Sequence, residues 1–388
     1  MTLSTRIQRI HELGQSIWCD NLSRKMIESG ELQRLIDLGI VGVTSNPTIF
    51  MKAITGGSDY DDAFQKLIDA GSEDMALYEG LVLPDIRDAA DLLRPVYDRT
   101  GGVDGYVSLE VNPKLAFDTE ATIDEARRLF AELDRPNVFI KVPATDPGIP
   151  AIATLIGEGV NVNVTLIFAI SMYRKVMDAY IAGLAKLDAG GGDVTNVASV
   201  ASFFVSRVDT LVDKKLQEEQ AGGANVDHLF GKAANANAKL AYRRFQETFE
   251  ANAVFNELAI RGARVQRPLW ASTSTKNPDY PDTLYVDPLI GPHTVNTLPP
   301  NTIEVVLDHG RAEVTLTEGV EDARRVLAEL GEIGIDMKAV TDRLTQEGVQ
   351  SFTQSFDDLL ADLTRKRTEL RSEPRAPATG QPVTSDNA

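Results

Sequence analysis

A chain of 388 residues with 57 acidic against 39 basic side chains, a net charge of -18, repels nucleic acid and anionic lipid, so any anionic ligand has to be held by a few local cations. Cys19 is the only cysteine, which excludes an intrachain disulfide, and no uninterrupted apolar stretch approaches the roughly 18 residues needed to span a bilayer. With no apolar signal-peptide core after Met1-Thr2-Leu3-Ser4, the reading is a cytoplasmic protein that binds neither membrane nor nucleic acid, built as one large domain with additions.

Ile17-Asp20 reads as the first of several short strands. Ser23 then caps a helix running through Leu38, which Gly39 ends. Gly42-Ser45 is the second strand, and Gly105-Val111 the third, followed by an Asp118-Thr119 start to a helix through Leu133. Val138-Val142 is the fourth: β-branched, apolar and stopped by Pro143 ahead of Asp146-Pro147-Gly148, it has the pattern of a fully buried parallel strand running into a loop. Asn161-Leu166, Asn196-Ala201, Pro268-Ser272 and Thr294-Leu298 bring the strands to eight, with helices predicted over Ile170 to Leu187, Val208 to Glu219, Asp227 to Leu258 and Thr302 to Asp308.

Eight alternations of strand and helix predict an α/β fold, a (β/α)8 TIM barrel, because a doubly wound sheet usually stops at about five to seven strands and needs a crevice at a switch point. The long connections Met51 to Val103 and Arg207 to Arg267 predict additional helices decorating the ring. Asp85, Asp88 and Asp91 have helical spacing and read as a solvated face. The barrel is assigned to 1–316. A C-terminal extension over 317–370 reads as helix, a turn at Gly331 to Gly334, and a second helix with apolar positions from Val340 to Leu360, packing on the barrel or serving a dimer contact. From 371 to 388 no apolar periodicity remains, which predicts a disordered tail.

In such a barrel the chemistry sits at the carboxyl ends of the strands, and here those ends carry a coherent set. Strand one ends in Asp20, strand two in Thr44-Ser45-Asn46, strand three in Glu110, strand four in Lys141, strand five in Asn163-Val164-Thr165. Each has a structural alternative: Asp20 and Asn46 as helix caps, Glu110 as a buried salt-bridge partner of Lys141, Thr165 bonded to its own backbone. A lysine becomes a covalent nucleophile only when its surroundings depress its basicity, and a buried strand end is a place where that happens. Ser202 and Arg207 after strand six, with Lys276 after strand seven, suit a phosphate dianion; the alternative for Arg207 is an ion pair with Asp209. No Gly-rich nucleotide fingerprint follows a strand, and His11, His228, His293 and His309 with one cysteine give no zinc spacing, so neither a metal nor an organic cofactor is expected.

Gly42-Val43-Thr44-Ser45-Asn46-Pro47-Thr48, Val107-Ser108-Leu109-Glu110-Val111 with Phe117-Asp118-Thr119, Val138-Phe139-Ile140-Lys141-Val142-Pro143-Ala144-Thr145 with Gly148, and Asn163-Val164-Thr165-Leu166-Ile167-Phe168 together resemble transaldolase in its longer bacterial form, over roughly Ile17 to Leu298. The resemblance implies a Schiff base on Lys141, and Asp20 as acid/base on the hydroxyl whose deprotonation breaks the carbon-carbon bond. It implies Glu110 and Thr165 moving protons through a water, Asn46 and Asn163 holding a dihydroxyacetone unit, and Ser202, Arg207 and Lys276 carrying the phosphate. The implied reaction moves dihydroxyacetone from sedoheptulose 7-phosphate to glyceraldehyde 3-phosphate, giving erythrose 4-phosphate and fructose 6-phosphate in the non-oxidative pentose phosphate pathway, in a monomer or homodimer. The alternatives are a fructose-6-phosphate aldolase-type lyase releasing dihydroxyacetone, and a non-catalytic sugar-phosphate-binding barrel. Glu110 favours transfer, since the related short aldolases typically carry glutamine at that strand end. Two departures stand out: the family's Ser-Pro-Phe-Val-Gly-Arg is here Ser202-Phe203-Phe204-Val205-Ser206-Arg207, and the second phosphate cation, often arginine, is Lys276.

Overall fold

The computed structural model describes residues 5–372. Eight parallel strands close into a barrel: β1 Gln15–Cys19, β2 Gly42–Thr44, β3 Tyr106–Glu110, β4 Val138–Pro143, β5 Val162–Ile167, β6 Ser199–Phe204, β7 Arg267–Ala271 and β8 Thr294–Leu298, which pairs back onto β1. The expected (β/α)8 barrel with additional helices is the fold. No helix among the described residues is long and apolar enough to cross a membrane.

Strand register decides what fills the barrel. Alternate residues share a face, so Tyr106, Ser108 and Glu110 of β3 look the same way as Phe139 and Lys141 of β4, and Lys141 the same way as Asn163 of β5. Near the amino ends Arg267 pairs with Asp104 at 3.1 Å, while Ser16 and Trp18 donate to the same carboxylate at 2.7 and 3.1 Å. Trp18, Tyr106 and Phe139 form an aromatic layer, with Tyr106 and Phe139 stacked at 4.2 Å between centroids. Gly42 makes room for it: a Cβ there would lie 2.5 Å from the Trp18 ring. Further along, Asn163 Nδ2 donates to Ser108 Oγ at 3.1 Å, and Ser202 Oγ donates to Asn163 Oδ1 at 2.7 Å. Glu110 lies one same-face step beyond Ser108 toward the carboxyl end, paired in register with Lys141, which is itself paired with Asn163.

Local side-chain hydrogen bonds account for the differences from the predicted elements. The Ser23 cap is present, but the helix to Leu38 is two, Arg24–Glu28 and Glu31–Leu38, because Gly30 sits in the left-handed region at φ 77°. The helix predicted over Asp227 to Leu258 is likewise divided into Ala233–Ala251 and Ala253–Ile260, with Asn252 accepting from the Phe255 amide at 2.9 Å and so starting a new helix. The sixth strand begins three residues later than expected. Asp193 captures Thr195 and Asn196 in a 3-10 turn, so pairing starts at Ser199 and carries Ser202 and Phe204 inside the strand. Asp85 does not belong to a solvated face: it is buried on the helix Asp74–Arg99 and accepts from Arg24 Nε at 3.0 Å and Tyr60 at 2.8 Å.

Beyond β8 the chain forms Pro300–His309, Val320–Glu332 and the long Met337–Ser372. The last crosses the carboxyl end of the barrel, tied by Thr48 to Ser355 at 2.8 Å, by Lys114 to Asp357 at 2.5 Å, and by the edge of Tyr78 against Phe356. Gly348 permits the close passage over Leu166, whose Cδ2 would lie 2.8 Å from a Cβ at 348. This helix extends two residues into the predicted tail; the rest of the tail lies outside the described residues.

Candidate active site

Lys141 sits on the inward face of β4 and is only 5% exposed, which is how an apolar strand holds a charged side chain inside the barrel. Its Nζ donates to the Ser45 carbonyl at 2.9 Å, lies 3.4 Å from Glu110 Oε2, and faces the Phe352 ring at 5.9 Å. The predicted Lys141–Glu110 pairing is therefore present. Neither Glu110 oxygen, however, is engaged in a well-formed hydrogen bond among the described residues. Burial pushes the Glu110 carboxyl above its usual range, partly countered by the Lys141 charge.

A cavity of about 170 Å³ opens from this lysine to the barrel mouth, lined by Asp20, Thr44, Asn46, Lys141, Thr165, Ser202, Arg207 and Lys276 among others. Asp20 follows β1 directly, and Thr44 Oγ1 donates to its Oδ1 at 2.7 Å. Burial raises its carboxyl too, while the Thr44 hydrogen bond and the charges of Lys141, Lys276 and Arg207 oppose the rise. The hydroxyl of Thr165 is buried in the same wall with no partner among the described residues, so it does not bond its own backbone. An unpaired buried hydroxyl on Thr165 is costly unless something else satisfies it, and Glu110 has only the long 3.4 Å approach of Lys141.

Asn46 keeps its structural duty: its Oδ1 accepts from Ile49 at 3.0 Å and caps Pro47–Thr55, while the residue still lines the cavity. Asn163 does not line the cavity. It lies beneath the floor, fully buried, with Oδ1 and Nδ2 engaged by Ser202 and Ser108. Glu110 is not in the wall of the main cavity either: it reaches Lys141 from the side and also borders a narrow crevice with Tyr78, Glu79 and Glu125.

At the far rim, Arg207 opens the helix Ser206–Ala221 with its guanidinium 5.4 Å from the Phe204 ring. It makes no ion pair among the described residues, and Asp209 points elsewhere, to the Ala234 amide and the Tyr285 hydroxyl. Desolvation lowers Arg207, and it lowers Lys276 as well, with further downward pushes on Lys276 from the charges of Arg207 and Lys52. Two cations, Arg207 and Lys276, thus line one rim of a strongly acidic protein, the electrostatic setting for an anion. Sequence reading assigned no role to Thr44, Phe204, Thr297 or Phe352, all of which line the cavity. Thr44 stood inside a motif already singled out; Phe352 reaches the cavity from a helix more than 200 residues downstream of Lys141, and nothing in its local sequence signals that.

A family model described as transaldolase/fructose-6-phosphate aldolase matches residues 17–363. The chain belongs to this family. The match to the transaldolase/fructose-6-phosphate aldolase family extends past Leu298, where the sequence resemblance stopped, and takes in the helix that supplies Phe352. Proteins named transaldolase from Mycobacterium ulcerans and Mycobacterium tuberculosis H37Rv are 50% and 49% identical to it over 343 and 341 residues, each alignment covering 87% of this chain and 91% of the relative. A transaldolase from a Parafrankia species is 50% identical over 352 residues, 90% of this chain and 95% of that one.

Proposed function

We propose that this enzyme transfers dihydroxyacetone from sedoheptulose 7-phosphate to glyceraldehyde 3-phosphate through a Schiff base on Lys141, in the non-oxidative pentose phosphate pathway. The observation that carries the reading is the buried Lys141 amine with Glu110 at 3.4 Å and the Thr165 hydroxyl and Asp20 carboxyl in the walls around it. An amine attacks a ketone only in its neutral form, and Glu110 is placed to receive its proton. Addition at the carbonyl gives a carbinolamine. Losing water from it requires a proton delivered to the departing hydroxyl, and a carboxyl whose proton affinity is raised by burial is suited to carry one.

The protonated imine then acts as the electron sink. Asp20 removes the proton from the sugar hydroxyl, the adjacent carbon-carbon bond breaks, and its electron pair flows into the imine to give an enamine while the aldehyde leaves. An acceptor aldehyde reverses these steps, and hydrolysis frees Lys141. Asn46 and, through Ser202, the buried Asn163 would hold the three-carbon unit, while Arg207 and Lys276 would anchor the phosphate. The ~50% identical relatives named transaldolase support transfer over release.

The test is borohydride reduction in the presence of fructose 6-phosphate, followed by peptide mass mapping. The expected adduct is on the peptide containing Lys141, and its absence there sinks the mechanism. Fructose 6-phosphate supplied without acceptor separates transfer from release: sustained multiple-turnover liberation of dihydroxyacetone contradicts the transferase reading.

A further inference from the structure

The segment that carries Lys276 is not a free loop. It leaves β7 at Ser272, a residue at φ 55°, and is caught at once by the first turn of the helix Ser206–Ala221. Ser206 N donates to the Ser272 carbonyl at 3.0 Å, and the Ser206 and Ser272 hydroxyls share a hydrogen bond at 2.9 Å. The chain returns to that helix at Tyr280, whose hydroxyl donates to Asp213 at 2.7 Å, and at Tyr285, which donates to Asp209 at 3.0 Å. Asp209 and Asp213 are one helical turn apart and so present both acceptors on one face. Lys276 lies between the tethers at Ser272 and Tyr280, and Arg207 lies on the helix to which all three attach.

Those carboxylates are held at a cost. Burial pushes Asp209 up to about 7, and Asp213 is raised for the same reason. Each also accepts from a backbone amide at the start of the helix Ala233–Ala251, Asp209 from Ala234 in its first turn at 2.7 Å and Asp213 from Gly231 just before it at 3.1 Å. Neither lines the cavity of Lys141. Simple core stability does not call for two acidic side chains here; apolar residues fill such a site more cheaply.

We propose that Asp209 and Asp213 are positioning residues of the phosphate site: through Tyr285 and Tyr280 they clamp the 272–285 segment onto the helix of Arg207, setting the separation of Lys276 from Arg207. The inference rests on the proposed assignment of those two cations to the substrate phosphate. Ser206, which stands where the family pattern has glycine, contributes a hydroxyl to the same clamp. Lysine lacks the planar fork of arginine and fixes little geometry through its own hydrogen bonds, so in this chain the backbone that bears it has to be fixed instead.

The decisive variant is the double substitution Tyr280→Phe with Tyr285→Phe, which removes two hydroxyls and no packing. The expected result is a rise of about tenfold in KM for fructose 6-phosphate and in the inhibition constant of inorganic phosphate, the size of one lost charge-assisted hydrogen bond, with kcat within about twofold. Borohydride trapping of free dihydroxyacetone on Lys141, which needs no phosphate site, should be unchanged. Unchanged phosphate affinity in the double variant overturns the clamp, as does an equal loss of dihydroxyacetone trapping, which marks a purely structural role. Arg207→Ala serves as reference: if it leaves phosphate inhibition intact, the phosphate assignment itself is wrong, whereas discrimination by Arg207→Ala without any effect of the tyrosines rejects the clamp alone.

Discussion

The two ends of the barrel use buried polarity in opposite ways. At the amino end Asp104 is fully engaged: it accepts from Ser16, Trp18 and Arg267, and Arg267 also donates to the Ser16 hydroxyl and the Thr294 carbonyl. At the carboxyl end, the buried Thr165 hydroxyl has no partner among the described residues, Glu110 has only Lys141 at 3.4 Å, and the cations Arg207 and Lys276, which line the cavity, make no ion pair among the described residues. Buried polar groups are normally paired because leaving them unpaired costs roughly 1–3 kcal/mol each. A closed network holds the barrel together; an open one at the other end is stability given up for a ligand.

That contrast can be broken at either end. The largest effect is expected from Asp104→Ala, which strands Arg267 in the barrel and should destabilise the protein by about 3–5 kcal/mol in chemical denaturation. kcat of the folded fraction should be unchanged, and a selective loss of activity without loss of stability would contradict the division of labour. Thr165→Val does the reverse. Removing an unpaired buried hydroxyl should leave the melting temperature unchanged or slightly higher, while kcat falls about 100-fold, the lower range for a general acid/base contribution. A variant that is destabilised yet fully active would place Thr165 with the structural set.

The smallest effect is in pH dependence. Glu110 has a proton affinity raised by burial, so over the window from its unfolded value of ~4.3 up to its higher folded value the native state binds more protons than the unfolded one. Stability contributed by Glu110 is therefore fully present below that window and is lost as pH rises through it. Glu110→Gln abolishes the titration. Wild type minus variant stability should fall by about 1.4 kcal/mol for each unit of the upward shift across the window, and a difference that rises with pH would reverse the assignment of burial as the dominant cause.

Much of this molecule is legible in local pattern. Eight strands could be placed because period and punctuation are local: Pro143 ends β4, Gly39 ends a helix, and Asn46 with Pro47 starts one. Where local reading failed, a side chain a few residues away redirected the backbone, as Asp193 did before β6 and Asn252 did within a predicted helix. Asp85 failed for a different reason. Its helical spacing with Asp88 and Asp91 is real, but its partners Arg24 and Tyr60 come from elements that only folding brings beside it.

The sequence by itself determined the strand order, the ring of polar residues at the strand ends and the buried placement of Lys141, because in a closed parallel barrel those follow from alternation and chain order. Only the tertiary structure decided that Asn163 braces Ser202 beneath the floor, that Glu110 approaches Lys141 from beside the cavity, and that Phe352 closes over it. Those are contacts between residues tens to hundreds of positions apart. They depend on strand register, side-chain direction and the path of one long helix across the mouth, none of which is encoded in the residues nearby.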